Sequence, residues 1–221
     1  MLKYILSTAF ILFISLIGQS QNQFHLSDEE ALLLAYADTL INRMNKDAYF
    51  PEERLDSLKT SAEKMNKPFA IGVKEMVLGK FFRKENNIGK ALLHYSQAVE
   101  QFEQCCASSK LMVNTLLGYN GALATAGLFN FDTTYFNQGI RLVKRAVSIA
   151  EEIKDTVSLI DGIDFMGDHF YYSAYQKEEM DSALFYYKQV ESILNQYSDP
   201  YEKADNALGF ANVYRQKEDL E

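Results

Sequence analysis

Few side chains in this sequence are of a type and spacing suited to chemistry. Three histidines occur, His25, His94 and His169. None sits in an HExxH helix or next to a second histidine at metal-ligand spacing, so no zinc site is expected. His169, close in sequence to Asp164 and Asp168, is the best candidate for an acid–base pair, although a polar residue lining a surface groove is the expected reading. A nucleophile elbow, a P-loop and a dinucleotide fingerprint are all missing, since Gly118, Gly121 and Gly127 follow no strand. Glu29, Glu30, Glu52 and Glu53 stand where helices begin, a place the helix dipole favours for carboxylates. Glu151, Glu152, Glu178 and Glu179 read as solvated faces and turns. A carboxylate pair for glycoside hydrolysis need only meet in space, so the sequence leaves that chemistry open. Tyr171, Tyr172, Tyr175, Tyr186 and Tyr187 form an aromatic cluster able to serve as a sugar or peptide platform, and core packing accounts fully for Tyr187 alone. The expectation is a protein that is not an enzyme and holds no cofactor or metal.

The two cysteines, Cys105 and Cys106, are adjacent near the end of a predicted helix. Neighbouring side chains on a helix diverge, and a bridge between them needs distorted geometry, so buried packing is expected in preference to a redox pair or an intermolecular link. The chain has 221 residues, 48% of them hydrophobic and 24% charged, with only 3 Pro and 11 Gly, which excludes disorder and low-complexity classes. A formal charge of −8 opposes nucleic-acid binding, which depends on clustered Lys and Arg.

Residues 1–20 read as a secretory signal peptide: Lys3, an apolar run from Tyr4 to Ile17, then Gly18 and Ser20 at the exit, with cleavage expected before Gln21. The run is shorter than the roughly 20 residues that cross a bilayer, which disfavours a retained anchor. No cysteine follows it to take a lipid. No second run of spanning length occurs, so the mature domain, residues 21–221, is expected to be exported, periplasmic or secreted, and not to span a membrane.

The elements that would position any site come from internal repetition. Leu78–Ala98 reads as a helix with Gly79 and Phe82, a polar turn at Glu85–Asn87, and a helix with Ala91, Tyr95 and Ala98. Phe170–Val190 matches it without a gap, pairing Tyr171 with Gly79, Ala174 with Phe82, Ala183 with Ala91, Tyr187 with Tyr95 and Val190 with Ala98. A third copy starts at Phe210, with Ala211 and Tyr214. Between them lies a looser copy: Leu116–Ala126, then a turn lengthened by six residues through Phe136, then Gly139–Ile153. Ser27 and Glu30 form a capping box for an earlier helix, Pro51 opens another that runs to about Met65, and Lys67-Pro68 breaks the chain before the next. Without two-residue alternation anywhere, nearly all-α structure is expected.

Small residues that let helices approach, with aromatics filling the gaps, make this pattern similar to the tetratricopeptide repeat, in its exported bacterial form. The resemblance implies an all-α, right-handed solenoid of antiparallel helix pairs, about four pairs and an incomplete last one over residues 21–221. Spacings of 42, 50 and 40 residues from Gly79 through Gly121, Tyr171 and Ala211 exceed the basic period of about 34. Copies lengthened in this way resemble those of bacterial regulatory and sensory proteins.

The resemblance implies a concave groove for a protein or peptide ligand, lined by the first helix of each pair: Lys80, Arg83 and Lys84, then Ala122 and Thr125, then Asp168, Tyr172, Tyr175 and Gln176, then Asn212 and Arg215. The family's carboxylate clamp is absent, since Met76 and Lys80 stand where it uses Lys and Asn. Basic residues at one end of a groove in an acidic protein favour an acidic segment. The expected function is an exported interaction module, the sensory front part of a longer membrane-bound regulator, or alternatively a stand-alone periplasmic scaffold or carbohydrate-related accessory protein. Self-association through an uncapped C-terminal end is also expected. If the repeat register is right, Ala91→Glu forces a charge into a close helix contact and unfolds the first clear pair; a circular dichroism melt like the parent's would contradict it.

Overall fold

The computed structural model describes residues 26–219 apart from 48, 131, 174–176 and 197–199. The expected leader and His25 lie outside the described residues. Among the described residues the protein is all-α, without strands. Nine α-helices follow one another: α1 Asp28–Lys46, α2 Asp56–Met65, α3 Pro68–Lys84, α4 Ile88–Cys105, α5 Lys110–Asn130, α6 Thr133–Ile153, α7 Thr156–Ser173, α8 Lys177–Leu194 and α9 Pro200–Asp219. A single 3₁₀ turn, Glu52–Leu55, leads into α2. No described helix is long and apolar enough to cross a membrane.

Local chemistry sets the helix ends. The Ser27 backbone N–H donates to Glu30 Oε2 at 2.8 Å while the Glu30 N–H donates to Ser27 Oγ, the reciprocal box that starts α1. Pro68 opens α3, where its missing N–H costs no hydrogen bond. Asn66 and Lys154 close α2 and α6 in left-handed backbone, φ 48° and 58°. The looser copy differs from the sequence reading. Residues Leu128 to Asn130 continue α5, and α6 already begins at Thr133, so the added length lies in the helices and the joint is short. Asp132 makes this possible by accepting the Thr134 N–H at 2.9 Å as the N-cap of α6.

Each helix packs on its neighbours in sequence, and the odd-numbered helices α1, α3, α5, α7 and α9 also touch one another in series. The core runs continuously from α1 into α7 and is joined by smaller clusters around α8 and α9.

Two tyrosines organise this packing. Tyr95 of α4 is buried between Gly79 of α3 and Gly118 of α5, and a Cβ added at either glycine would come within 2.9 Å and 2.8 Å of its ring. Tyr187 of α8 lies in the same way between Gly167 of α7 and Gly209 of α9, with added Cβ atoms at 2.6 Å and 2.9 Å. The rings beside them match as well. Phe82 stacks on His94 at 5.1 Å, and Phe170 stacks on Tyr186 at 5.5 Å. The equivalent of Gly79 is therefore Gly167, not Tyr171, and that of Phe82 is Phe170, not Ala174. The second-helix matches Ala91 with Ala183 and Tyr95 with Tyr187 hold, all four being buried. The difference is four residues across the α7–α8 hinge, close to one helical turn, so the same faces meet.

The cysteine expectation of buried packing holds, since Cys106 lies in the core and Cys105 packs against it, and only the expected absence of a bridge between them is corrected. Cys105 and Cys106 are joined as a disulfide. The reason lies in the backbone: Cys106 is the C-cap of α4 at φ −156° and ψ 47°, so the chain leaves helical geometry between the two residues and their sulfurs no longer diverge.

Because the Tyr95 ring is wedged from both sides, it cannot retreat from a methyl group. Gly118→Ala is expected to destabilise the protein by about 1–3 kcal/mol through overpacking, outweighing the gain of about 1 kcal/mol in helix propensity. Urea unfolding of the two proteins checks this, and a more stable variant would rule out the close packing.

Candidate functional site

The sequence placed eleven candidate residues on one groove, and the structure brings four of them together. Lys80, Arg83, Lys84 and Thr125 line a single cleft of about 400 Å³. Its walls are the C-terminal parts of α1, α3 and α5 and the start of α4, with Asn45 and Asn86 also lining it and Ile88 as apolar surface. Asn45 and Asn86 were missed by sequence reasoning. Asn86, in left-handed backbone at φ 56°, reads in the sequence only as a turn residue.

The three cations have different roles. Lys84 Nζ donates to the backbone carbonyls of Met44 and Asp47, satisfying the exposed end of α1. Thr125 Oγ1 donates to Gly121 O at 2.8 Å. Among the described residues neither Lys80 nor Arg83 has a carboxylate partner. Burial first, and then the Arg83 charge beside it, hold Lys80 below the ordinary lysine range. Arg83 lies against α5, where a Cβ at Gly121 would come within 2.0 Å of its Nη1. Ala122, expected in the groove, is instead fully buried in the core.

A second cluster forms on α7. Asp168 Oδ1 accepts the Tyr187 hydroxyl at 2.8 Å. Burial raises the Asp168 carboxyl and the Asp205 charge adds to this, with the Tyr187 hydrogen bond only partly opposing them. Asp161 is raised for the same first reason, with Asp155 and Asp205 adding to it. Tyr172 is 57% exposed on the same helix and packs edge-on against Tyr171 at 5.0 Å. Asn212 is half-buried and Arg215 exposed, both on α9. Tyr175 and Gln176 lie outside the described residues.

The two described histidines are held by aromatic neighbours. His94 Nδ1 shares a 2.6 Å hydrogen bond with Glu75 Oε2, and Lys74 Nζ lies 3.0 Å from Glu75 Oε1. Burial alone would raise Glu75, but these two partners bring it below the ordinary glutamate range. His169 packs edge-on against Phe170, and burial lowers it. No group of three His, Cys, Asp or Glu side chains able to hold a metal ion occurs among the described residues.

Compared with known proteins, the sequence matches no family model, and no curated protein matches it significantly. The site therefore has to be read from its own geometry.

Asp168 gives a pH prediction. A carboxyl raised in the folded state favours the protonated form, so its contribution is present in acid and is lost as pH rises through the folded value. Ionised Asp168 thus burdens the fold at neutral pH. Asp168→Asn, which still accepts the Tyr187 hydroxyl, is expected to melt above the parent near pH 7. The two should converge below the free aspartate value of about 3.9. A variant that melts lower at neutral pH would show that the charge stabilises the fold.

Proposed function

We propose that the protein is an exported interaction module of the tetratricopeptide-like class. In this reading the odd-numbered helices line the concave side of a right-handed solenoid and hold a protein or peptide segment there. The observation that carries it is the serial contact of α1, α3, α5, α7 and α9, which makes one continuous layer out of the helices that bear the candidate residues. On that layer Lys80 and Arg83 lack carboxylate partners among the described residues, and the acidic group at Asp161, Asp168 and Asp205 repels itself. An acidic group held at a cost to the fold beside the exposed Tyr172, and a separate cationic cleft on the same layer, suit recognition of a partner, because aromatics and arginine dominate interface hot spots.

Binding fits better than catalysis because the titratable side chains nearest to acid–base geometry are already engaged. Glu75 is shared by His94 and Lys74, and Asp168 by Tyr187. Whether the module fronts a longer membrane-bound regulator or acts alone as a scaffold or carbohydrate-related accessory is a finer question about the same groove.

The test is affinity capture from the exported fraction with the tagged chain as bait, using the parent, Tyr172→Ala and Leu93→Ala. Leu93 is 53% exposed on α4, an even-numbered helix, and is the control. A bound protein lost with Tyr172→Ala, kept with Leu93→Ala, and lost without change in the melting curve is the expected result. Recovery of the bait alone, or equal loss in both variants, would remove the groove from the function.

A further inference from the structure

The cleft at the ends of α1 and α3 carries charge that the protein does not use internally. Of its three cations, Lys84 is taken up by the carbonyl oxygens of Met44 and Asp47. The carboxylate of Asp47, next to that end of α1, is paired with Arg54 at 3.2 Å. Lys80 and Arg83 remain, close enough for Arg83 to oppose the Lys80 charge. Lys80 is half-buried and Arg83 exposed beside it, and two like charges held together in this way leave a place that an anion entering between them would relieve.

The backbone also prepares the place. The Arg83 guanidinium lies against α5 at Gly121, in the space that a Cβ at that position would take, so a side chain there would displace its Nη1. Gly121 is three residues beyond Gly118, which takes the Tyr95 ring, so one face of α5 has lost its side chains twice, once for packing and once for the guanidinium. Asn45 and Asn86, both exposed, line the same cleft with neutral polar side chains, and Ile88 adds apolar surface. An opening of about 400 Å³ admits one or two side chains of a ligand.

We infer that this cleft is a carboxylate-binding site, in which Lys80 and Arg83 together hold a Glu or Asp side chain of an extended acidic peptide segment. The inference rests on the groove reading above and adds the ligand's chemistry and its place on the groove. A long polyanion is the wrong partner for a chain of formal charge −8, whereas a single acidic side chain entering a local cationic cleft is not repelled at contact range.

The experiment uses the full chain and a blocked, fluorescent decapeptide with two adjacent glutamates in an Ala/Gln background, alongside the same peptide with glutamines. Fluorescence anisotropy is read at low and at physiological ionic strength, with inorganic phosphate as a competitor. The glutamate peptide is expected to bind at least about tenfold tighter than the glutamine peptide, the scale of one charge-assisted hydrogen bond, and to weaken as salt is added. The double variant Lys80→Met, Arg83→Met should abolish the preference. Gly121→Ala is the sharper test, since it keeps every charge and only displaces the guanidinium. It should weaken the glutamate peptide several-fold without weakening the glutamine peptide. Gly89→Ala, where an added Cβ meets nothing within 4 Å, is its matched control and should change neither.

Equal affinity for the two peptides, or a preference that survives the double variant, overturns the site. Phosphate that binds with the same dependence on Lys80 and Arg83, with no discrimination between the peptides, overturns the peptide as the source and leaves a free-oxyanion site. A captured partner that survives the double variant but is lost with Tyr172→Ala overturns this site while the groove reading stands.

Discussion

The packing depends on a tyrosine ring held between two glycines on different helices. Tyr95 reaches from α4 to both α3 and α5, and the absence of side chains at Gly79 and Gly118 lets three helices converge on one ring. A ring of that size brings a large apolar area into one contact, while the glycines cost helix propensity of about 1 kcal/mol each. Burial pushes the phenol up to about 12, with Arg83 pulling the other way, so the ring stays neutral throughout the range in which the fold operates. Tyr187 repeats the arrangement between Gly167 and Gly209. Since each ring joins an odd helix to the next odd helix through the even one between them, the same contact that closes a pair also sets where the following pair sits. Within the layer of odd helices these two contacts set α3 against α5 and α7 against α9.

The candidate site inherits its geometry from that contact. Lys80 follows Gly79 directly, and Asp168 follows Gly167 directly. Once each glycine is pressed against its tyrosine, the next side chain along the helix has one direction left to it. The two copies use that equivalent position for opposite charges. Near Lys80 the neighbouring charge is Arg83, and near Asp168 it is Asp205, so each place gathers like charges and neither is relieved by the other.

The sequence made the helix ends legible, because they are decided within a few residues. The Ser27–Glu30 box, Pro68 and the turn at Glu85–Asn87 all form where their local chemistry puts them. The register of the second copy was not legible. Its second helix carries the same pattern of Ala183, Tyr187 and Val190, and a gapless match then assigns Tyr171 to the place of Gly79. The added four residues, close to one turn, change no face and so leave no trace in the periodicity. The Cys105–Cys106 bridge was hidden for a related reason. Periodicity describes residues inside a helix, and Cys106 has already left it. Which groove positions are charged could be read directly, but which charges are spare could not. Lys80 and Lys84 are alike in sequence, and only the approach of α1 shows that Lys84 is spent on the carbonyls of Met44 and Asp47.

Those carbonyls explain why the remaining charges stay unrelieved. The end of α1 presents oxygens carrying the negative end of its dipole, and the lysine placed to meet them satisfies α1 without adding a carboxylate to the cleft. A carboxylate there would have neutralised Lys80 and Arg83 as well. The protein instead meets the carbonyl oxygens of α1 with Lys84, and among the described residues leaves Lys80 and Arg83 without a carboxylate, at the cost of their mutual repulsion. Selection for stability alone would tend to remove such a pair, since Lys80→Met or a nearby glutamate would relieve it by a single change. An arrangement that keeps the repulsion, rests Arg83 on a glycine and lines the same cleft with Asn45 and Asn86 is therefore better explained by an anion that arrives from outside than by the fold itself.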